Sequence, residues 1–303
     1  MFALRSILRK AGKTCGQRGV LKWEDIKKRQ LLHAALILSG ILAVYWIFFP
    51  PLQEYDRIWK FDSGQLESVY IQTDYNVQIE CKESEDGTNY IEIKGSADKQ
   101  VVNVLEGADI VQKALTLNLS KPGSLEKLAD KASRNDDTQY ITFVLAREAA
   151  LHKIEASSTS EWLRIRQMKA DHAVFKTTSG QVKLDGYKGE SLNIQTGSGD
   201  IEAFKARGKV EAVSEGGNIK LIDMEGNPDV QTNSGNVQLS GDLSLASVQT
   251  VSGNITIAIP AGYQSRYDLQ TNTGKIRAPR SITSSSNYIK VKTNSGNIRI
   301  NPG

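Results

Sequence analysis

Six carboxylates, Asp185, Asp200, Glu202, Glu211, Asp223 and Glu225, fall within one short stretch of a 303-residue chain. Two carboxylates on one face could cleave a glycosidic bond, one giving a proton and the other acting as base or nucleophile. Asp200 and Glu202 are the best pair, because residues two apart on a strand share a face. One repeat further along, their positions hold Asn218 and Lys220; one repeat earlier they hold Gln181 and Lys183. That mixture reads as a solvated charge mosaic. A carbohydrate-active β-helix enzyme acting on envelope glycans is therefore the second reading of this chain, behind a non-catalytic one.

Other chemistry finds less support. His33, His152 and His172 are isolated in sequence, and Cys15 and Cys81 are far apart, so no zinc spacing is present. Calcium-binding solenoids place Asp regularly after glycines; here only Asp200 fits. Gly12-Lys13-Thr14 has Ile7 where a phosphate-binding loop needs glycine, and no strand precedes it. Thr196-Gly197-Ser198-Gly199 is not a nucleophile elbow, since its serine recurs as Ser179, Ser234, Ser252 and Ser295. The sequence assigns no catalytic residue, metal or cofactor.

These residues sit on a repeat, Thr-x-Ser-Gly-x-aliphatic-x-aliphatic, with glycines at Gly180, Gly199, Gly217, Gly235, Gly253, Gly274 and Gly296. The steps are 19, 18, 18, 18, 21 and 22 residues, the signature of a solenoid with one turn per repeat. Two residues after each glycine stand Val182, Ile201, Ile219, Val237, Ile255, Ile276 and Ile298. Four after it stand Leu184, Ala203, Leu221, Leu239, Ile257, Ala278 and Ile300. Polar residues alternate between them, so each is a short strand with one buried face. A second strand leads in, with Phe175, Ile194, Ala212, Val230, Val248, Leu269 and Val291 inward. The glycine is expected to take positive φ at the corner. Asn218, Asn236, Asn254 and Asn297 beside it should stack into an amide ladder. A weaker copy at Ser158–Ile165 has Glu161 in place of glycine, which puts the start of the stack near residue 150.

These copies resemble a bacterial family known as "putative adhesin", whose nearest members here are LiaG-like, membrane-anchored envelope-stress proteins. The resemblance spans roughly residues 60 to 303. It implies a β-strand-repeat fold at the cell envelope and a role in adhesion, interaction or stress sensing. It carries over no catalytic residue.

The fold expected is all-β: a β-solenoid of coils of about 18 to 22 residues, preceded by an irregular β-rich region and one transmembrane helix. Four segments follow: a basic cytoplasmic tail (1–30), an anchor (31–51), the irregular part of the ectodomain (52–149) and the solenoid (150–303). Residues 1–30 hold nine Lys/Arg and two acids; the remaining residues hold 29 bases and 32 acids. The acidic body argues against nucleic-acid binding. Residues 31–49 carry no charge and would span roughly 29 Å as a helix. Lys27, Lys28 and Arg29 before it place the N-terminus in the cytoplasm and the rest outside. A cleaved signal peptide is the competing reading; the bulky Tyr45, Trp46, Phe48 and Phe49 disfavour it. The first 11 residues suit a basic amphipathic helix on anionic lipid or a disordered tail equally well.

Strands are expected at 68–72, 77–81, 90–94, 115–119 and 140–144, with a loop or a short helix at 124–131. The longer steps insert residues around Pro260–Tyr263 and Pro279–Asn287; plain surface loops are the first reading, and a contact surface with Tyr263, Arg280 and Asn287 as its candidate residues is the second. The expected partners are the membrane, an unidentified envelope protein or glycan, and a second copy of the chain. The final strand, Asn297–Ile300, is followed by no cap, so it is either covered by the insertion at 283–287 or the edge on which that copy would dock.

Overall fold

The computed structural model describes residues 32–33, 36–40, 52–121, 138–147 and 149–302. Residues 1–51 and 52–303 form two separate units. In the first unit, Leu32, His33 and residues 36–40 are helical. Among the described residues no helix is long and apolar enough to cross a membrane. The expected span at 31–49 lies largely outside the described residues, as do the basic tail and segment 124–131.

The second unit has nineteen strands and one helix among its described residues. In chain order these are β1 (Gln53–Phe61), β2 (Ser68–Thr73), β3 (Val77–Glu83), β4 (Asn89–Ala97), α1 (Lys99–Gly107), β5 (Ile110–Val111), β6 (Ala114–Leu119) and β7 (Gln139–Leu145). Next come β8 (Leu151–Ser158), β9 (Leu163–Thr177), β10 (Val182–Thr196), β11 (Ile201–Ser214), β12 (Ile219–Thr232) and β13 (Val237–Leu243). The last are β14 (Leu245–Ser252), β15 (Ile255–Ile259), β16 (Arg266–Thr271), β17 (Ile276–Arg277), β18 (Tyr288–Ser295) and β19 (Ile298–Pro302).

A lead-in strand, a corner and a following strand make one coil. The long strands β9 to β12 bend, so that each closes one coil and opens the next. Neighbouring coils pair in parallel with corner positions in register: Val77 faces Leu163, Leu163 faces Val182, Val182 faces Ile201, and Ile201 faces Ile219. The repeat thus does form the expected solenoid, with two departures in coil order.

The first departure is at the N-terminal end. Residues 52–149, expected to be irregular, supply two regular coils. The β2–β3 coil pairs with β8 and β9 on one side and with β6 and β7 on the other. No boundary falls at residue 150, because the sheet is continuous there. These coils lack the glycine corner, which is why the sequence pattern misses them: at the turn after β2, Thr73 Oγ1 accepts from the amide of Tyr75 at 2.9 Å.

The second departure is at the C-terminal end. Ile255 of β15 pairs with Ile298 of β19, and Ile298 pairs on its other side with Ile276 of β17. Likewise Val248 pairs with Val291, and Val291 with Leu269. The coil last in sequence is therefore next to last in space, and the Gly274 coil ends the stack. The expectation that Asn297–Ile300 forms the open edge is overturned. The long steps have their physical cause here. Skipping a coil raises the chain roughly 10 Å instead of 5, and the inserted residues at 260–265 and 278–287 supply that reach and the return.

The core is one continuous column of inward side chains. Ile201, Leu184, Leu239, Ile257, Phe175, Ile194 and Val291 are fully buried, as the alternation requires. The end coil is the exception: Ile276 and Ala278 are exposed and Leu269 is half-buried, because no coil lies beyond theirs.

The corner glycines are needed for a different reason from the one expected. None adopts positive φ; positive φ occurs instead at Gln167, Gly186, Lys205 with Gly208, Asp223 with Gly226, and Gly241, at the bends of five consecutive coils. A Cβ on Gly217 would lie 1.9 Å from the carbonyl oxygen of Gly199, and the other corner glycines meet the coil beneath in the same way. Close stacking of backbone, rather than turn geometry, excludes a side chain. The preceding hydroxyl completes the corner. Thr196 Oγ1 accepts from the Gly199 amide at 3.0 Å and donates to the Gly180 carbonyl at 3.3 Å.

Candidate functional site

The outward face of the following strands carries the polar residues of the repeat, and the corner beside it carries the asparagines. Together they form a groove of about 670 Å³ running across four coils, lined by Asp200, Glu202, Asn218, Lys220, Asn236, Gln238, Asn254 and Thr256. Its wall is the expected ladder. Asp200 Oδ1 accepts from the Asn218 amide at 2.7 Å, Asn218 Oδ1 from Asn236 at 3.0 Å, and Asn236 Oδ1 from Asn254 at 2.9 Å. The series continues through Asn297, at 2.9 Å, and ends on the amide of Lys275, at 2.9 Å. It follows the spatial order of the coils, not the sequence order.

This geometry decides what the carboxylates do. Asp200 is the first rung of the ladder and holds the backbone and side chain of Asn218. Glu202 lies 3.2 Å from the Lys183 ammonium. Glu211 accepts from Asn193 at 2.9 Å, Glu225 pairs with Arg207 at 2.9 Å, and Asp223 occupies a left-handed corner. Asp200, Glu202, Glu211 and Glu225 are thus engaged in separate structural contacts and do not converge as an acid–base pair. Phe204, beside the groove, has the Lys183 and Lys220 ammonium groups 5.8 and 5.6 Å from its ring centre. Amide and hydroxyl groups dominate the groove, so it can exchange hydrogen bonds with a polar chain laid along the stack.

The two insertions are tied to each other. Asn287 donates from Nδ2 to the Gln264 carbonyl at 3.1 Å, and Ser285 Oγ donates to the same carbonyl at 2.8 Å. The Ile282 amide donates to the Ser265 carbonyl at 3.0 Å. The second insertion therefore folds onto the first. Tyr263 packs against the core, and burial pushes its hydroxyl up to about 12. Of the three candidate contact residues, only Arg280 is exposed.

The structure also unites residues that appear isolated in sequence. His152 and His172 lie one coil apart, with ring centres 5.2 Å apart and nearly perpendicular planes. Asp171 and Glu190 flank them. A spacing of 20 residues, one coil step plus one, was the available signal. It goes unnoticed when zinc motifs are sought at short spacing.

The family described as Toastrack DUF4097 matches residues 66–301. The chain belongs to the Toastrack family. That match begins at the β2–β3 coil and takes in the whole stack, in agreement with the absence of a boundary at 150. Solved structures similar to this Toastrack chain include a "putative adhesin" from Bacteroides fragilis NCTC 9343. It is 15% identical with a TM-score of 0.42, over 82% of this chain and 97% of that one. A second "putative adhesin", from Parabacteroides distasonis ATCC 8503, is 13% identical with a TM-score of 0.44, over 83% and 97%. A "putative lipid binding protein" from the same organism is 14% identical with a TM-score of 0.39, over 82% and 96%. No curated protein matches the chain.

Proposed function

We propose that this protein is a non-catalytic interaction module, held outside a membrane by residues 31–49, with the ladder groove as its contact surface. One observation carries the reading: the Asn218–Asn236–Asn254 ladder repeats the same amide chemistry coil after coil along the groove, while the acids of its first coil, Asp200 and Glu202, are engaged in contacts between coils. A repeated polar surface that is neutral over its Asn236–Thr256 half suits a long polar ligand such as an envelope glycan or an extended protein segment. The uncharged segment 31–49 with its basic flank supports the anchor and its orientation. The envelope-stress role rests on the resemblance alone, and self-association at the far end of the stack is a second contact.

The test uses the full chain in lipid vesicles and purified envelope glycans. Binding is expected, and Gln238→Glu with Thr256→Glu, which fills the neutral half of the groove with charge, should reduce it at least tenfold. Unchanged binding by that variant would move the contact surface elsewhere. Release of shortened glycan would replace this reading with the enzymatic one. For topology, an impermeant thiol reagent on intact cells under mild unfolding should label Cys81 and spare Cys15. Mild unfolding is used because Cys81 is half-buried and burial pushes its thiol up.

A further inference from the structure

The histidine corner has the parts of a metal site. His152 lies at the start of β8 and His172 in the adjacent turn of β9, on neighbouring coils paired in register at Lys153 and His172. Each imidazole has a partner at Nδ1: Asp171 Oδ2 at 3.3 Å from His152, and Ser191 Oγ at 2.8 Å from His172. A carboxylate or hydroxyl at one ring nitrogen orients the ring and leaves the other nitrogen for a metal. Nε2 of His172 looks toward Glu190 Oε2, 3.8 Å away. Glu67 of the next coil is already paired with the Lys113 ammonium at 2.6 Å and is not counted as a ligand.

The spacing fits. With metal–nitrogen bonds of about 2.0–2.1 Å, two imidazoles on one tetrahedral ion keep their ring centres roughly 5 Å apart. The observed separation is 5.2 Å. The corner is also firmly held: the buried Tyr187 hydroxyl lies 2.6 Å from the Ser191 carbonyl, 3.0 Å from that of Ala170 and 3.1 Å from that of Asp171. Among the described residues no three ligating groups already converge on one point. The imidazoles are partly to largely exposed, and the Glu190 side chain is 74% exposed. All three side chains can therefore turn onto an ion without disturbing the core.

We propose that this corner binds a divalent transition-metal ion of the zinc class. His152 Nε2 and His172 Nε2 are two ligands and the Glu190 carboxylate is the third, with water completing the shell. Imidazole with carboxylate is a donor set suited to such ions and not to calcium or magnesium alone. The ion would bridge two coils and stabilise the stack by mass action.

Zinc chloride titrated into the detergent-solubilised full chain by calorimetry should give one micromolar site. The C2 and C4 ring-carbon resonances of His152 and His172 should shift together. His152→Ala and His172→Ala should each weaken binding at least about tenfold, and Glu190→Gln should weaken it several-fold. His33→Ala should change nothing. The thermal midpoint should rise with zinc for the wild type but not for the double variant His152→Ala/His172→Ala, whose exposed positions leave folding intact without metal. Absence of binding, or equal binding by the double variant, overturns the site. Full retention of affinity in Glu190→Gln overturns the third ligand.

Discussion

At both ends of the stack the chain leaves sequence order in the same way. The β2–β3 coil lies inside the β6–β7 coil, and the β18–β19 coil lies inside the β16–β17 coil. Each terminal segment of the stack is thereby paired on both sides, and the end coil is a middle part of the chain that goes out and returns. Beyond that the ends differ. At the N-terminal end β4 pairs antiparallel with β7 and β1 with β4, which turns the solenoid edge into an ordinary sheet. Helix α1 buries Val101, Val102 and Leu105, and Trp59 Nε1 donates to the Ala108 carbonyl at 2.9 Å. Ile141 and Phe143 beneath this cover are fully buried. At the C-terminal end no such cover exists among the described residues, and Ile276 is 44% exposed. A solenoid needs its terminal faces closed, and here one end has a built cap whereas the other has only folded-back loops.

The largest effect should separate the middle of the stack from its open end. Ile219→Asp places an unpaired charge at a position 1% exposed and should cost about 4 kcal/mol. Ile276→Asp, at the same repeat position, should cost about 1 kcal/mol, because water reaches it. Denaturant unfolding of both variants measures the difference. Equal losses would mean the Gly274 coil is covered in solution.

Glycines sharpen the same contrast. A Cβ at Gly217 would lie 1.9 Å from the Gly199 carbonyl oxygen, and one at Gly274 lies 1.9 Å from that of Gly296. The clash is the same, but the Gly217 coil is held from both sides and the Gly274 coil from one. Gly217→Ala should cost about 3 kcal/mol and Gly274→Ala about 1 kcal/mol, since only the end coil can move away. Thermal unfolding of the two variants decides this, and a reversed order would refute the role given to the open end.

What could be read from the sequence follows from how strictly each part repeats. Inward Val182, Ile201, Ile219 and Val237 and outward Lys183, Glu202, Lys220 and Gln238 alternate in the right register, because one buried column imposes the same demand on every coil. The ladder could be foreseen because stacked corners bring equivalent amides together. Spatial order was hidden, since periodicity reports the step between coils and not which coil lies above which. The 21- and 22-residue steps marked the detour but look like plain insertions. The glycines were found for the wrong reason, because a missing Cβ serves positive φ and close stacking alike. β1 and α1 were missed: β1 buries only its last positions, Trp59 and Phe61, and α1 carries paired valines that favour strands. In the candidate site, the carboxylates were found but their neighbours were not, and the histidine pair needed coil register to be seen.

The ladder offers a smaller test. Asn236→Ala removes the acceptor of the Asn254 amide and should cost about 1 kcal/mol, since the exposed donor regains water. Lys275 occupies the same place in the end coil, with no further amide to receive. Lys275→Asn should therefore change stability by less than about 0.5 kcal/mol. A gain comparable to the Asn236 loss would mean the ladder stabilises through something other than hydrogen bonds to the next coil.

The smallest effect is expected on association, at β16, which pairs with β18 on one side only. The Arg266 amide donates to Asn287 on the β18 side, whereas the Tyr267 amide donates to Ser281 Oγ on the opposite side. Alternation therefore turns the backbone of Leu269 toward the open side as well. The insertion bonds Gln264, Ser265 and Tyr267, so it shields the start of β16 and not the stretch around Leu269. Such an edge invites a strand from another molecule, and a second copy could pair there antiparallel about a two-fold axis. Sedimentation of the full chain in detergent at rising concentration should reveal a weak reversible dimer. Ile276→Lys, which places a charge beside the pairing edge, should weaken it. Deleting residues 283–286 should leave it unchanged, because their hydrogen bonds go to the first insertion. Higher oligomers after that deletion would show the loop to be the true cap. A chain that stays monomeric at every concentration would show the edge to be closed by its own twist and charge.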